Sequence, residues 1–182
     1  MSMSKRLALA LLLGSALAAG PALAQLGGAA APNLGQKITP EEIKPWDISI
    51  LPDGTNLPPG SGTSDKGAKL FVEKGCVACH GEGGKGASST QLVGSPPITG
   101  IESLKTIANF WREPTTLFDY IRRAMPWPTP HTLKDEEVYS LVAYLLAANK
   151  LIPEDQVMDA KSLPQVQMPN RDNFIIKFPD RI

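Results

Sequence analysis

Cys76 and Cys79 are the only cysteines in the 182-residue chain, and His80 follows directly on the second. Whatever fold the chain adopts must bring these three side chains to one place. A disulfide across two intervening residues is the ordinary reading of a lone cysteine pair, but redox sites built that way need a strand before the pair and a helix after it. Here the pair is followed by His80 and a glycine-rich stretch, Gly81-Glu82-Gly83-Gly84-Lys85-Gly86. A structural zinc needs four ligands, and Cys76, Cys79, His80 and His131 are all the cysteine and histidine present. The order Cys-x-x-Cys-His is that of c-type haem attachment: two thiols add to the two vinyl groups of one porphyrin, and the next residue places an imidazole on the iron. The expectation is one covalently bound haem c, held by Cys76 and Cys79, with His80 as an iron ligand.

The first residues speak for export. Lys5 and Arg6 precede an apolar run from Leu7 to about Ala19, and the run ends in Ala22-Leu23-Ala24. That is the order of a secretory leader over residues 1–24, with cleavage expected before Gln25. The run falls short of the roughly 20 apolar residues that cross a bilayer, so cleavage is favoured over a retained anchor. No later stretch is long and apolar enough to span, and a soluble periplasmic protein is expected. Basic and acidic residues balance at 18 each, and the chain turns slightly acidic once Lys5 and Arg6 are gone. No basic block remains, so nucleic acid is not an expected partner.

Composition divides the rest. Residues 25–63 are rich in glycine and proline, with Trp46, Ile48, Ile50 and Leu51 as the strong apolar anchors of an irregular arm. Residues 64–150 carry three short helical patterns. Ser64 and Asp65 can cap the first, where Gly67, Leu70, Phe71 and Lys74 fall at helical spacing and lead into the cysteine pair. Thr115 or Thr116 can cap a second, with Leu117, Ile121 and Met125 on one face, ending at Pro126. Thr132 with Asp135 resembles a capping box for a third, whose stripe Val138, Leu141, Val142, Leu145 runs to Asn149. Residues 151–182 are irregular again, broken by Pro153, Pro164, Pro169 and Pro179.

The other iron ligand must come from a short list. Outside the leader the methionines are Met125, Met158 and Met168. Met125 is the candidate, because Pro126-Trp127-Pro128-Thr129-Pro130 cannot continue the helix and must run on as a loop over the haem face. Met158 and Met168 are read as core packing. His131 is the alternative, and ligation by two histidines would lower the potential. An open position would instead mean ligand binding or catalysis. A ligating imidazole needs its second nitrogen hydrogen-bonded, and in the turn 94–100 the Pro96 carbonyl is chosen as acceptor, against the reading of an ordinary turn. Arg122, Arg123 and Trp111 can meet the haem propionates, Arg123 foremost. They are equally read as a solvated helix face and a core aromatic.

Cys76-Val77-Ala78-Cys79-His80, the turn around Pro96, Met125-Pro126 and the last helix together resemble the class I cytochrome c fold over residues 64–150. The resemblance implies an all-α domain in which the first and last helices cross, Gly67 and Phe71 facing Tyr144. A narrower likeness rests on Trp46-Asp47-Ile48 with Pro52-Asp53-Gly54, on Leu57-Pro58-Pro59-Gly60-Ser61-Gly62, on the stretch from Thr116 through Arg122-Arg123-Ala124-Met125-Pro126, and on Met168-Pro169-Asn170-Arg171-Asp172. These are similar to the cytochrome c subunits of periplasmic sulfite and sulfur dehydrogenases of the SoxD type. That resemblance implies an electron-transfer subunit rather than an enzyme on its own. Its partner would be a molybdenum-cofactor subunit that oxidises the sulfur substrate, and its acceptor a downstream cytochrome c or an oxidase. The family usually carries Ser or Gly where this chain has His131. A freestanding electron shuttle is the second reading, and an enzyme or sensor with an open iron site the third.

Overall fold

The computed structural model describes residues 35–175; the expected leader lies outside the described residues, as do residues 176–182 of the C-terminal extension. The chain divides into two units after Lys44. In the described part of the first, one turn of helix (α1, Pro40–Ile43) is closed by a capping box: the Thr39 hydroxyl accepts from the Glu42 N–H at 3.3 Å, and the Glu42 carboxylate accepts from the Thr39 N–H at 2.8 Å.

The second unit begins at Pro45. A two-residue strand (β1, Ser61–Gly62) leads into helix α2 (Ser64–Glu73) and, after Gly75, into the short helix α3 (Cys76–His80) that carries the motif. There follow α4 (Ile107–Phe110), α5 (Pro114–Ala124) and α6 (Asp135–Ala148), then a second short strand (β2, Met158–Asp159). Gly75 has φ 75°, a left-handed turn that glycine adopts without strain, and it redirects the chain so that α3 starts on a new axis.

Helices α2 and α6 cross as expected. Phe71 and Tyr144 rings lie 5.4 Å apart. A Cβ on Gly67 would sit 1.9 Å from the Ser140 carbonyl oxygen, and one on Gly62 would sit 2.1 Å from the Ser140 nitrogen. Two glycines therefore let β1 and α2 approach the backbone of α6 at the same residue. Val138, Leu141, Val142 and Leu145 are buried, but so are Tyr139, Ala143 and Leu146, which the periodic pattern leaves outside the stripe. The two arms explain this. The Tyr139 hydroxyl donates to the Pro58 carbonyl at 2.9 Å, and β1 pairs antiparallel with β2, Gly62 opposite Met158. Burial pushes that hydroxyl up to about 12, so it stays a donor. Phe118 packs its ring 4.4 Å from Tyr139 and is fully buried, worth about 2–3 kcal/mol of apolar transfer.

The C-terminal extension contributes Ile152, Met158, Leu163, Val166 and Met168 to the same core. It is then fixed by polar contacts: Arg171 donates to the buried Glu113 carboxylate through Nη2 at 2.5 Å and Nε at 3.1 Å, and Asn170 to the Phe110 carbonyl at 2.7 Å.

Several local expectations are corrected. Helix α2 is capped by Thr63, not Ser64 or Asp65. Helix α5 starts on Pro114, whose fixed φ and missing N–H suit the first helical position; Thr115 is fully buried and donates to the Pro52 carbonyl at 3.3 Å. Helix α6 follows Lys134, whose N–H bonds the Glu137 carboxylate at 2.9 Å, while Asp135 is taken by Arg122 at 2.8 Å. Of the N-terminal anchors only Ile50 is buried; Trp46 is 85% exposed. Within the described residues no helix is long and apolar enough to cross a membrane.

Candidate metal centre

Helix α3, the loop after it, α4 with Trp111, the end of α5 and the proline-rich strip enclose a cleft of about 680 Å³. That volume lies within the roughly 300–1,000 Å³ of sites that bury a cofactor-sized molecule. Cys76, Cys79, His80 and Met125 all line it, and Ile107, Ile121, Leu133 and Leu141 give it an apolar lining. Cys76 is half-buried and Cys79 exposed, and both are free thiols. Burial pushes the Cys76 thiol up.

His80 is the most constrained member. Its Nδ1 lies 2.9 Å from the Thr90 carbonyl oxygen. A carbonyl only accepts, so Nδ1 carries the proton and Nε2 is left with its lone pair for a metal. The expected acceptor, Pro96, is thereby corrected: its carbonyl accepts from the Asn109 side-chain amide at 2.8 Å. The glycine-rich stretch accounts for the difference. The Gly86 N–H bonds the His80 carbonyl at 2.7 Å and the Ser89 N–H bonds the Cys79 carbonyl at 2.9 Å, which folds residues 84–92 back under the imidazole. Thr90 reaches the ring first.

Met125 caps the C-terminal end of α5, its N–H bonded to the Ile121 carbonyl at 3.1 Å. Pro126 to Thr129 continue along the cleft, and Trp127 is 79% exposed. Met158 and Met168 are buried core side chains and are not among the cleft residues. His131 is exposed, with φ 66°, and does not line the cleft. Arg123, expected at the propionates, pairs with Asp119 one turn earlier, and neither it nor Arg122 is among the residues lining the cleft. Trp111 does line it, edge-on to Tyr120 at 5.6 Å. Among the described residues no three His, Cys, Asp or Glu side chains come together as a metal cluster, which leaves a zinc tetrad without its ligands.

The donor set fits a covalently held haem: two thiols three residues apart, an imidazole with a free, oriented Nε2, and a thioether, all on one apolar cleft between short helices. That combination defines a c-type cytochrome. Residues 64–149 match the family model described as Cytochrome c, and the chain belongs to that family, whose function is electron transfer. The particular relative is a chain in the crystal structure of the sulfane dehydrogenase SoxCD from Paracoccus pantotrophus, to which this chain is similar at 36% identity with a TM-score of 0.73, over 83% of this chain and 75% of that one. The likeness extends beyond the residues of the family model and takes in parts of both arms, where the SoxD-type motifs lie. No curated protein matches by sequence.

Proposed function

We propose that the chain is a periplasmic carrier of single electrons, holding one haem c and serving a molybdenum-cofactor dehydrogenase that oxidises a sulfur compound. The observation that supports the haem role most directly is the His80 imidazole, oriented by Thr90 in the cleft that also holds Cys76, Cys79 and Met125. When bound, the haem supplies an iron that exchanges one electron between Fe(II) and Fe(III). Cys76 and Cys79 would hold it through thioethers, and His80 and Met125 would be the side chains that ligate its iron. The Thr90 carbonyl keeps the imidazole basic and fixes its orientation. Ile107, Ile121 and Leu141 exclude water from the ligands, which lowers the reorganisation each electron transfer requires. Cys79 and Ala78 are exposed, so one side of the cleft reaches the surface where a partner can come near. With His80 and Met125 both on the iron, the chain would carry electrons and the sulfur chemistry would belong to the partner.

The partner reading rests on the likeness to the SoxCD chain and on the arms. Ile50 and residues 58–62 of the N-terminal arm, and residues 152–171 of the C-terminal extension, pack on the core. Affinity purification of the tagged holoprotein from its native periplasm is the test. The reading expects a molybdenum protein in stoichiometric amount and reduction of the haem on adding sulfite or thiosulfate. A cytochrome that purifies alone and accepts electrons from several unrelated donors contradicts it and establishes a freestanding shuttle.

A further inference from the structure

The loop that bears the Thr90 carbonyl is clamped by a residue on the far side of the fold. Asn149, at the C-terminal end of α6, is half-buried and uses both ends of its amide. Its Oδ1 accepts from the Gly94 N–H at 2.9 Å; its Nδ2 donates to the Leu92 carbonyl at 3.2 Å and to the Leu145 carbonyl of its own helix at 2.8 Å. The Leu92 carbonyl also accepts from the Ile107 N–H at 3.3 Å, and the Gly94 carbonyl from the Thr106 hydroxyl at 2.5 Å. On the other side, the N–H groups of Leu92 and Val93 both bond the Gly84 carbonyl, at 2.8 and 3.0 Å. Residues 92–94 are thus tied to α6, to α4 and to the glycine-rich turn, two residues after the Thr90 carbonyl that accepts the His80 hydrogen bond. Among these groups only the Asn149 side chain both donates to and accepts from residues 92–94.

We propose that Asn149 is a positioning residue for the iron centre: by holding Leu92 and Gly94 to the end of α6 it fixes the Thr90 carbonyl against His80 Nδ1, and through that bond sets the electron-donating strength of the imidazole. The proposal rests on His80 being an axial ligand. A tight Nδ1–H···O bond makes the imidazole more basic and favours Fe(III). Loosening the loop weakens the bond and favours Fe(II). Leucine at 149 keeps the branching and the number of side-chain heavy atoms and removes all three hydrogen bonds.

The experiment compares the wild-type holoprotein with Asn149→Leu and with Ser140→Ala, which removes a hydrogen bond within α6, to the Glu136 carbonyl, without changing a charge or touching the loop. Redox titration followed in the visible spectrum gives the potential, and nuclear magnetic resonance gives the exchange rate of the His80 Nδ1 proton. In Asn149→Leu the ratio of reduced to oxidised protein at a fixed poise should rise at least threefold, which is about 28 mV at 59 mV per decade. The Nδ1 proton should exchange at least tenfold faster. Ser140→Ala should change stability and neither readout. If Asn149→Leu fails to accumulate, Asn149→Ala, which removes the same three hydrogen bonds with no added volume or charge, should move both readouts the same way. A variant at 149 with wild-type potential and exchange overturns the proposal. A wild-type protein whose spectrum lacks histidine ligation overturns the underlying reading instead, and is recognised before any variant is made.

Discussion

The histidine and the methionine segments of the cleft are held by opposite means. Around His80 nearly every polar group is bonded: the ring to Thr90, the carbonyl to the Gly86 N–H, the Cys79 carbonyl to the Ser89 N–H, and the loop beyond to Asn149, Thr106 and Gly84. Around Met125 the backbone has the Met125 N–H on Ile121 and the Thr129 N–H on Pro126 at 2.9 Å, while Trp127 stands in solvent. Order there comes from proline, which fixes φ and has no N–H to offer. His80 is set by a network, and Met125 by a helix end and a stiff strip of chain. Damage to the first should spread over many residues; damage to the second should concentrate in one.

The largest effect that sharpens this contrast is expected from Gly67→Ala. The new Cβ meets backbone of α6 that has no room to give, so the crossing that supports the α3 segment is forced apart. Overpacking of this kind costs about 3 kcal/mol, read as a fall in Tm of about 10 °C for a domain of this size. An unchanged Tm breaks the claim that this crossing is a tight backbone contact. Smaller is the effect of Pro128→Gly on the methionine strip. Greater freedom of the unfolded chain costs about 1 kcal/mol, and the loosened strip should let added imidazole displace Met125 faster. Equal displacement rates would mean the prolines do not hold the ligand.

The smallest is a pH effect on the histidine side. Burial alone raises the Glu137 carboxyl, but the Lys74 ammonium at 2.8 Å and the Lys134 N–H outweigh it and hold the carboxyl below its ordinary value of 4.5. A group lowered on folding adds stability above its unfolded value and loses it as the pH falls through the folded one. The exposure of the Lys74 partner limits this to under about 1 kcal/mol. Wild type should lose slightly more stability than Glu137→Gln between pH 6 and pH 3, as ~3-unit acid titrations by urea unfolding can resolve; parallel curves would remove the ion pair from the account.

What was legible in the sequence follows the same division. Cys76, Cys79 and His80 declare their role by side-chain type and spacing, and the Gly67, Phe71 and Tyr144 contact follows from the resemblance built on them. The stripe in α6 was legible, but its other face was not, because its cover comes from arms that show no periodicity. Thr90 left no trace, since the group that matters is a backbone carbonyl and any residue supplies one. The glycine-rich stretch was the available clue, because a chain that turns so tightly returns to the motif. The pairing of Arg123 was open to reading as well: Asp119 stands four residues earlier, the spacing at which helical charges pair.

The central claim is that His80 and Met125 both bind the iron and leave it no open position. The direct measurement is the optical spectrum of the oxidised holoprotein, matured in a periplasm with haem-attachment machinery, alongside Met125→Ala. The account predicts the weak far-red charge-transfer band of methionine bound to ferric haem in the wild type and its loss in the variant. A wild type without that band, or a variant that keeps it, contradicts the account and returns the search to His131 or to an open iron.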